Sequence, residues 1–178
     1  MVDLETLGTG SNAAIVQLAA AHFDMATGAV GDVISVYVQP PASAAIDVST
    51  VLWWLEQSSA ARDGLVEGVR NGLPEIEALR LLSQLYRRKD VRRIWCQGLN
   101  FDLPLIADAY ARHSLGNPLA YWKGRDTRTA YELAGYDYRS EPLLDGEVHH
   151  DALTDVKRQI RALRSALGQL GALSHLVA

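Results

Sequence analysis

Residues 1–10, MVDLETLGTG, combine the apolar pattern of a short β-strand with two acids, Asp3 and Glu5, on either side of one leucine. Residues two apart in a strand project from the same face of the sheet, so the two carboxylates lie side by side. Their repulsion is relieved when a hard divalent cation lies between them, and carboxylate oxygens suit Mg²⁺ or Mn²⁺. Taken alone, such a pair is more often two exposed acids near a frayed terminus, so other segments have to decide its role.

Two further strand patterns follow the first. Residues 15–24, IVQLAAAHFD, form a long apolar run, and residues 30–40, VGDVISVYVQP, alternate and are rich in valine. A turn around Gly28 separates them, which predicts a hairpin. Together with the first strand, they predict a three-stranded antiparallel meander.

Helices and single strands alternate in the rest of the chain. Apolar residues at helical spacing from Ile76 to Leu85, with Pro74 at the start, predict an amphipathic helix. The other predicted segments are a helix capped by Ser49 or Thr50 and running to about Gln57, a strand in RRIWCQGL that ends at Gly98, a helix in FDLPLIADAYARH with Pro104 in its first turn, a short strand near Trp122, a helix from about Thr127 to Leu133, a loop over residues 136–149 and a long last helix from residue 150.

This order of elements predicts the α/β class, with a mixed sheet that combines the antiparallel meander with parallel strands and carries helices on its faces. The chain has 178 residues, of which 48% are apolar, so we expect a single domain over residues 1–178. Its core is expected to end at about residue 170, followed by a loosely held tail.

Composition excludes several classes of protein. No apolar run approaches the roughly 20 residues of a membrane helix, and no secretory signal pattern is present. Cys96 is the only cysteine, so no internal disulfide can form, and we expect a small buried residue in a cytoplasmic protein. The net charge of −4 does not exclude a nucleic-acid partner, because metal-bound carboxylates would account for it.

Two later segments add acids at the ends of predicted elements. Asp102, in QGLNFDLPLI, follows a buried strand and begins a helix, where ligand sites of α/β sheets gather. In EVHHDALTDVKRQI, His150 precedes Asp155 by five residues, and Asp155 lies one turn into a long helix. Each has a simpler explanation by itself: a first-turn acid favoured by the helix dipole, a loop histidine, and Asp151 as a helix cap.

In order along the chain, DLET, NFD and HDALTD (His-x-Ala-x-x-Asp) resemble the motifs of the DEDD-type 3′→5′ exonucleases of the RNase H-like fold. The histidine five residues before the last aspartate is typical of the DEDDh branch. The resemblance is closest to small RNase T-like exoribonucleases of phages, prophages and bacteria, with VDLETLGT, VLWWLEQS and RDTRT as further matching segments. It extends to about Leu170 and implies an RNase H-like mixed sheet flanked by helices.

The resemblance implies a two-metal mechanism. Asp3, Glu5, Asp102 and Asp155 would hold two divalent cations, Mg²⁺ or Mn²⁺, with Asp3 bridging them. His150 would take a proton from the attacking water, and the surrounding acids are expected to raise its pKa. Its neighbour His149 is the rival candidate but lacks the motif spacing.

The same resemblance implies that the protein binds single-stranded nucleic acid at free 3′ ends, with RNA favoured over DNA and nucleoside 5′-monophosphates as products. A tryptophan can stack on an unpaired base, and adjacent helix positions diverge by about 100°, so one of Trp53 and Trp54 should border the site while the other packs in the core. The candidate substrate-binding residues are Thr6, Leu7, Gly8, Trp53, Trp54, Asn100 and Phe101. A homodimer remains open.

Basic residues form two groups. Five cations between Arg87 and Arg93 precede the strand whose far end leads to Asp102, so they should lie away from the site, on a solvated or subunit-contact surface. Lys157, Arg161 and Arg164 share a helical stripe and could guide phosphates or simply face solvent. Asp126, in RDTRT, is expected to be a structural cap rather than a fifth metal ligand.

Three other functions compete with the exonuclease. A nucleic-acid-binding module that lost activity would be expected to lack one of the four acids or His150. A phosphatase would use a second aspartate where Glu5 stands, and it would have no use for the histidine motif. An endonuclease of the same fold is disfavoured by the histidine spacing.

Overall fold

The computed structural model describes residues 1–88 and 90–173 and contains the predicted meander. Strands β1 (Val2–Thr6), β2 (Ile15–Phe23) and β3 (Val30–Gln39) pair antiparallel in that order. Gly28 has a φ of +76° in the turn between β2 and β3, a conformation that glycine adopts without steric cost. In the register of β1 and β2, Glu5 lies opposite Gln17.

Parallel pairing completes the mixed sheet. The two-residue strand β4 (Leu73–Pro74), which the sequence pattern did not predict, joins β3 in parallel. Strands β5 (Ile94–Cys96) and β6 (Gly124–Asp126) form a parallel pair of their own, and β5 packs beside β1. The predicted α/β class with a mixed sheet is therefore confirmed.

The described part of the chain contains six α-helices. They are α1 (Val48–Leu55), α2 (Ser59–Arg70), α3 (Glu75–Arg88), α4 (Leu99–Arg112), α5 (Thr127–Ala134) and α6 (Ala152–Gln169). The sequence pattern missed α2, and it placed the cap of α1 at Ser49 or Thr50, whereas the N-cap is Asp47. Trp122 lies in a 3₁₀ turn (Tyr121–Lys123), and the predicted short strand begins directly after it.

The start of α4 was also predicted too late. The helix begins at Leu99, so Pro104 lies in its second turn rather than its first. Proline has no N–H to donate, so the carbonyl of Asn100 loses its helical partner. Asn100 is exposed, and water can take the place of that hydrogen bond.

Two hydrophobic clusters cover opposite faces of the sheet and fix the direction of the acids in β1. Val2 and Leu4 pack with α3 and α4 on one face. Asp3 and Glu5 alternate with them and therefore project to the face covered by α6. The strand's two-residue period thus turns both carboxylates towards one helix.

Two other expectations concern burial and the termini. Cys96 is fully buried, and burial raises the pKa of its thiol, as expected for a packing residue. The loosely held tail stays a prediction, because residues 174–178 lie outside the described ranges. No helix between residues 1 and 173, Lys89 aside, is long and apolar enough to cross a membrane.

Candidate active site

The four predicted metal-ligating acids, Asp3, Glu5, Asp102 and Asp155, come together under α6, and we call them the acidic cluster. The Asp3 carboxylate accepts a hydrogen bond of 2.7 Å from Nε2 of Gln159 in α6. Asp102 is only 3% exposed, and the nearby backbone N–H of Leu4 in β1 acts to lower its pKa. The cluster therefore joins β1, α4 and α6.

His150 lies against this cluster. One ligand atom each from Glu5, Asp155 and the His150 ring lie within 4.8 Å of one another. His150 has a φ of +60°, a left-handed conformation that is uncommon for a residue with a side chain and that occurs at functional sites. Together with the first turn of α6, this conformation sets the position of the histidine relative to Asp155.

The two tryptophans of α1 hold the His150 ring. The ring centroids of His150 and Trp53 are 4.7 Å apart in an edge-on contact, and those of His150 and Trp54 are 6.1 Å apart. Trp54 is buried, and its indole N–H donates to the carbonyl of Thr6 at 2.9 Å. Trp53 is 40% exposed, so it is the tryptophan that borders the site.

The segment after β1 is held from within the protein. The N–H of Leu7 donates to Ala14, and the Leu7 carbonyl accepts the N–H of Asp47. The hydroxyl of Thr6 donates to the carbonyl of Gly8 at 2.7 Å. The backbone groups of Leu7 are therefore already paired, which leaves its half-buried side chain for contact with a substrate.

An open cleft of about 770 Å³ leads to His150. It is lined by the junction of α1 and α2, by the loop before α6 and by Arg158. Phe101 is half-buried and Asn100 is exposed at the start of α4, on the helix that carries Asp102.

Burial raises the pKa of every acid in the cluster, and nearby carboxylates inside and outside the cluster raise it further. Burial is the largest cause throughout, and it raises the pKa of Glu5 to about 8, of Asp102 to about 7 and of Asp155 to about 6. Burial and the neighbouring acids raise the pKa of Asp3 well above its usual range. No lysine or arginine of residues 1–88 and 90–173 forms an ion pair with any of the four. Buried carboxylate oxygens that lie close together and form no ion pair fit a divalent ion such as Mg²⁺ or Mn²⁺.

The expected direction of the His150 pKa was wrong. We expected the acids to raise it, but burial lowers it, and the nearby His149 lowers it further. Two indole rings pack against the imidazole and remove water from it, which disfavours the charged form. His150 is therefore neutral near neutral pH and able to accept a proton.

These shifts predict how stability depends on pH without metal. Each acid of the cluster has a higher pKa in the folded state than in the unfolded state. At a pH between these two pKa values, the folded state therefore binds more protons than the unfolded state. In EDTA, the free energy of unfolding should fall by a few kcal/mol, in order of magnitude, between about pH 4 and about pH 8. Urea denaturation at several pH values measures this fall.

Two comparisons make that measurement specific. Mn²⁺ should restore stability at pH 8 and have little effect at pH 5, and the Glu5→Gln variant should show a shallower fall than the wild type. A flat profile in EDTA would contradict the raised pKa values of the cluster.

Gln17 is a structural residue of the site that motif reasoning missed. It is 1% exposed in β2, opposite Glu5. Its Nε2 donates to the Asp151 carboxylate at 2.8 Å, and its Oε1 accepts the N–H of Ala152 at 3.0 Å. Asp151 also caps α6 by accepting the N–H of Thr154. One buried amide therefore fixes the start of α6 between His150 and Asp155, and a glutamine inside the apolar run IVQLAAA was the available signal.

The Gln17→Leu variant should lose about 1–3 kcal/mol of stability, because it leaves the half-buried Asp151 carboxylate and the buried N–H of Ala152 without their partner. Its turnover should also fall, because the helix start that carries His150 is released. Chemical denaturation and single-turnover rates measure the two effects. Gln84→Leu, on the exposed face of α3, is the matched control and should change neither.

The basic residues are mostly used within the protein. Arg161 forms ion pairs with Glu141 and Glu147, and Arg164 donates to the carbonyls of Met25 and Ala26. These two members of the α6 stripe thus anchor loops, which argues against a phosphate-guiding stripe. The group that begins at Arg87 lies at the end of β5 remote from Asp102, with Lys89 outside the described residues.

Asp126 is a structural residue, as predicted. It is the N-cap of α5, and its carboxylate accepts the N–H groups of Arg128 and Leu99 at 2.8 and 2.9 Å. It therefore joins the starts of α4 and α5.

A mixed sheet that carries four converging carboxylates, with a histidine five residues before the last, defines the DEDDh-type 3′-5′ exonucleases of the RNase H-like superfamily. Comparison with known proteins identifies the family within this class. The profile of the 3′-5′ exoribonuclease Rv2179c-like domain matches residues 1–167, and the chain belongs to that family.

Two individual relatives agree with the class. An exodeoxyribonuclease of Enterobacteria phage T4 is 26% identical in an alignment of 201 positions that covers 94% of this chain and 88% of the phage protein. A product-bound structure of exonuclease I superposes with a TM-score of 0.68 at 20% identity. That match covers 98% of this chain but only 44% of exonuclease I, so it supports the shared fold alone.

Proposed function

We propose that this protein removes nucleoside 5′-monophosphates one at a time from the 3′ end of single-stranded nucleic acid, with RNA as the favoured substrate. The proposal is carried by the convergence of four carboxylates from three segments next to His150. The family description names an exoribonuclease, whereas the phage relative is named an exodeoxyribonuclease, so DNA is the alternative substrate.

The acidic cluster, Asp3 included, would hold two divalent ions, Mg²⁺ or Mn²⁺. Such ions supply the Lewis acidity that activates a water and neutralises charge on the leaving oxygen. The protein's part is to fix the ligands: Gln159 orients Asp3, the first turn of α4 presents Asp102, and the first turn of α6 presents Asp155.

His150 is proposed to act as the general base. Its neutral imidazole takes a proton from the attacking water, whose oxygen forms the new bond to phosphorus. The bond from phosphorus to the 3′ oxygen breaks, and that oxygen takes a proton from solvent to become the new 3′ hydroxyl. The released nucleotide keeps the phosphate on its 5′ oxygen.

Substrate binding is proposed to use the rim of the site. The exposed ring of Trp53 is available for stacking on an unpaired base, a contact worth roughly 1–3 kcal/mol. Phe101 and Asn100 flank Asp102 at the start of α4 and are further candidates, as is the Thr6–Gly8 segment. The family resemblance leaves a homodimer open, and sedimentation would test it.

The proposed function is tested with 5′-labelled single-stranded RNA and DNA of one sequence, incubated with Mn²⁺ or Mg²⁺ and with EDTA. A metal-dependent ladder that shortens from the 3′ end, faster for RNA, is the expected result. Intact oligonucleotides with every metal would contradict the exonuclease and favour a binding module. Cleavage of a circular single strand would favour an endonuclease.

A further inference from the structure

Arg128 is an exposed arginine beside the acidic cluster that the proposed mechanism does not use. Its Nη1 lies 3.7 Å from the position that a Cβ on Gly98 would occupy. Gly98 is the N-cap of α4, the helix that carries Asp102, and the positive charge of Arg128 acts to lower the pKa of that acid. The guanidinium therefore lies over the entrance of the helix that supplies the third acidic motif.

The protein itself does not occupy the Arg128 guanidinium. Among residues 1–88 and 90–173, no hydrogen bond or ion pair to its side-chain nitrogens is found, and only its backbone N–H is bound, by Asp126. Arg125, in the same RDTRT segment, differs, because its Nη1 donates to the carbonyls of Trp122 and Gly124. Of these two exposed arginines, one is held by its own backbone and the other is available to a ligand.

The position of Arg128 also has an electrostatic cost. It is the second residue of α5, where the helix dipole disfavours positive charge. A lysine or arginine stabilises a helix near the other end, so local helix stability does not explain this residue. An anion bound at the rim would compensate for the cost.

We propose that Arg128 binds a phosphodiester group of the nucleic-acid strand, next to the linkage that is cleaved. This rests on the proposed function and names a contact within it. Two divalent ions balance the four negative charges of the acidic cluster, which leaves the charge of the incoming phosphates unmet. A guanidinium matches phosphate oxygens with two parallel N–H donors. Asp126 fixes the start of α5 to that of α4, so the backbone of Arg128 is held next to the helix that carries Asp102.

The test measures binding without catalysis. A 5′-fluorescein-labelled single-stranded RNA of ten nucleotides is titrated with wild type, Arg128→Ala, Arg128→Lys and Arg125→Ala in EDTA, between 50 and 200 mM salt. We expect Arg128→Ala to weaken binding by roughly 3- to 10-fold and to lower the salt slope by about 0.7, the value for one phosphate contact on a single strand. Arg128→Lys should keep most of the slope, and Arg125→Ala should behave as the wild type.

A modified strand identifies the phosphate. Oligonucleotides carry one neutral methylphosphonate, placed in turn at each of the last four linkages. At one of these positions, the wild type should lose as much affinity as Arg128→Ala loses for the unmodified strand. At that same position, the methylphosphonate should not weaken binding by Arg128→Ala any further. With Mn²⁺ and an unlabelled 3′ end, Arg128→Ala should raise KM while kcat changes less than about 2-fold. Thermal melts of each variant verify folding.

The outcomes separate this inference from the proposed function. If Arg128→Ala binds and titrates with salt as Arg125→Ala does, the phosphate contact is wrong even when the wild type degrades RNA. If the wild type neither binds nor degrades any strand, the proposed function itself fails. A loss that no methylphosphonate position reproduces would assign Arg128 a structural role and overturn the inference.

Discussion

The Asp155→Ala variant is expected to lose nucleolytic turnover by roughly 10³-fold or more while remaining folded. Asp155 supplies one of the two carboxylates whose ligand atoms lie within 4.8 Å of each other and of His150. Without it, the remaining acids cannot fix a divalent ion in the same position. Lewis-acid stabilisation of this kind is worth several kcal/mol, and each 1.36 kcal/mol corresponds to a factor of ten in rate. Single-turnover hydrolysis of labelled RNA with saturating Mn²⁺ measures the loss.

The same substitution should lower turnover but raise stability in the absence of metal. A variant that lost activity because it misfolded would instead be less stable than the wild type. In EDTA at pH 8, Asp155→Ala removes a carboxylate that repels Asp3 and Glu5, so it should unfold at a higher urea concentration than the wild type. Mn²⁺ should then stabilise the variant less than the wild type. Asp145→Ala, in the exposed loop before α6, is the control and should leave rate and stability unchanged. Normal turnover by Asp155→Ala with saturating Mg²⁺ would contradict the metal assignment.

The acids of this site could be predicted because the information is local. A strand turns residues two apart to one face, which is why Asp3 and Glu5 could be assigned to one side of β1 before the sheet was known. The spacing of His150 and Asp155 likewise spans a helix start, where the backbone geometry is nearly fixed by Asp151 as the cap. Where strand or helix periodicity alone decides the direction of a side chain, sequence is sufficient.

Two elements were missed because tertiary contacts, rather than local pattern, stabilise them. Helix α2 contains Gly64 and Gly68, both unfavourable in helix interiors, so its local helix propensity is low. At Gly68, an added Cβ would lie 2.3 Å from the ring of Tyr37, so this glycine permits α2 to approach β3. Strand β4 is two residues long and exists only through its pairing with β3. The contacts of α2 and of β4 with β3 involve residues that are distant in the sequence, so the local pattern does not predict them.

The environment of His150 also depends on tertiary contacts that the local sequence does not show. Its pKa direction depends on Trp53 and Trp54, which are almost one hundred residues away in the chain and reach the imidazole through the packing of α1. Counting the neighbouring acids gave the wrong sign because burial by the indoles is not visible in the motif. Gln17 was missed for a related reason, since its partners Asp151 and Ala152 belong to a distant helix.

Replacing His150 is the second substitution with a large expected effect, and asparagine is the informative choice. Asparagine tolerates the left-handed backbone conformation that His150 adopts, whereas it cannot accept the proton of an attacking water. His150→Asn should therefore lower kcat by roughly 10²- to 10⁴-fold with little change in KM, because general-base catalysis contributes about that much. Mn²⁺ binding, followed by calorimetry, should remain close to that of the wild type, since all four acids are kept.

The control for this variant is the adjacent histidine. His149 is exposed, and its ring centroid lies 6.0 Å from that of His150. If His150 is the base, His149→Ala should keep turnover within a few-fold of the wild type, and it should slightly raise the pKa of His150 because a neighbouring positive charge is removed. The acidic limb of the kcat profile should then move to higher pH in His149→Ala and disappear in His150→Asn. A severe loss in His149→Ala with normal turnover in His150→Asn would transfer the role of base to His149, and the motif spacing would have misassigned it.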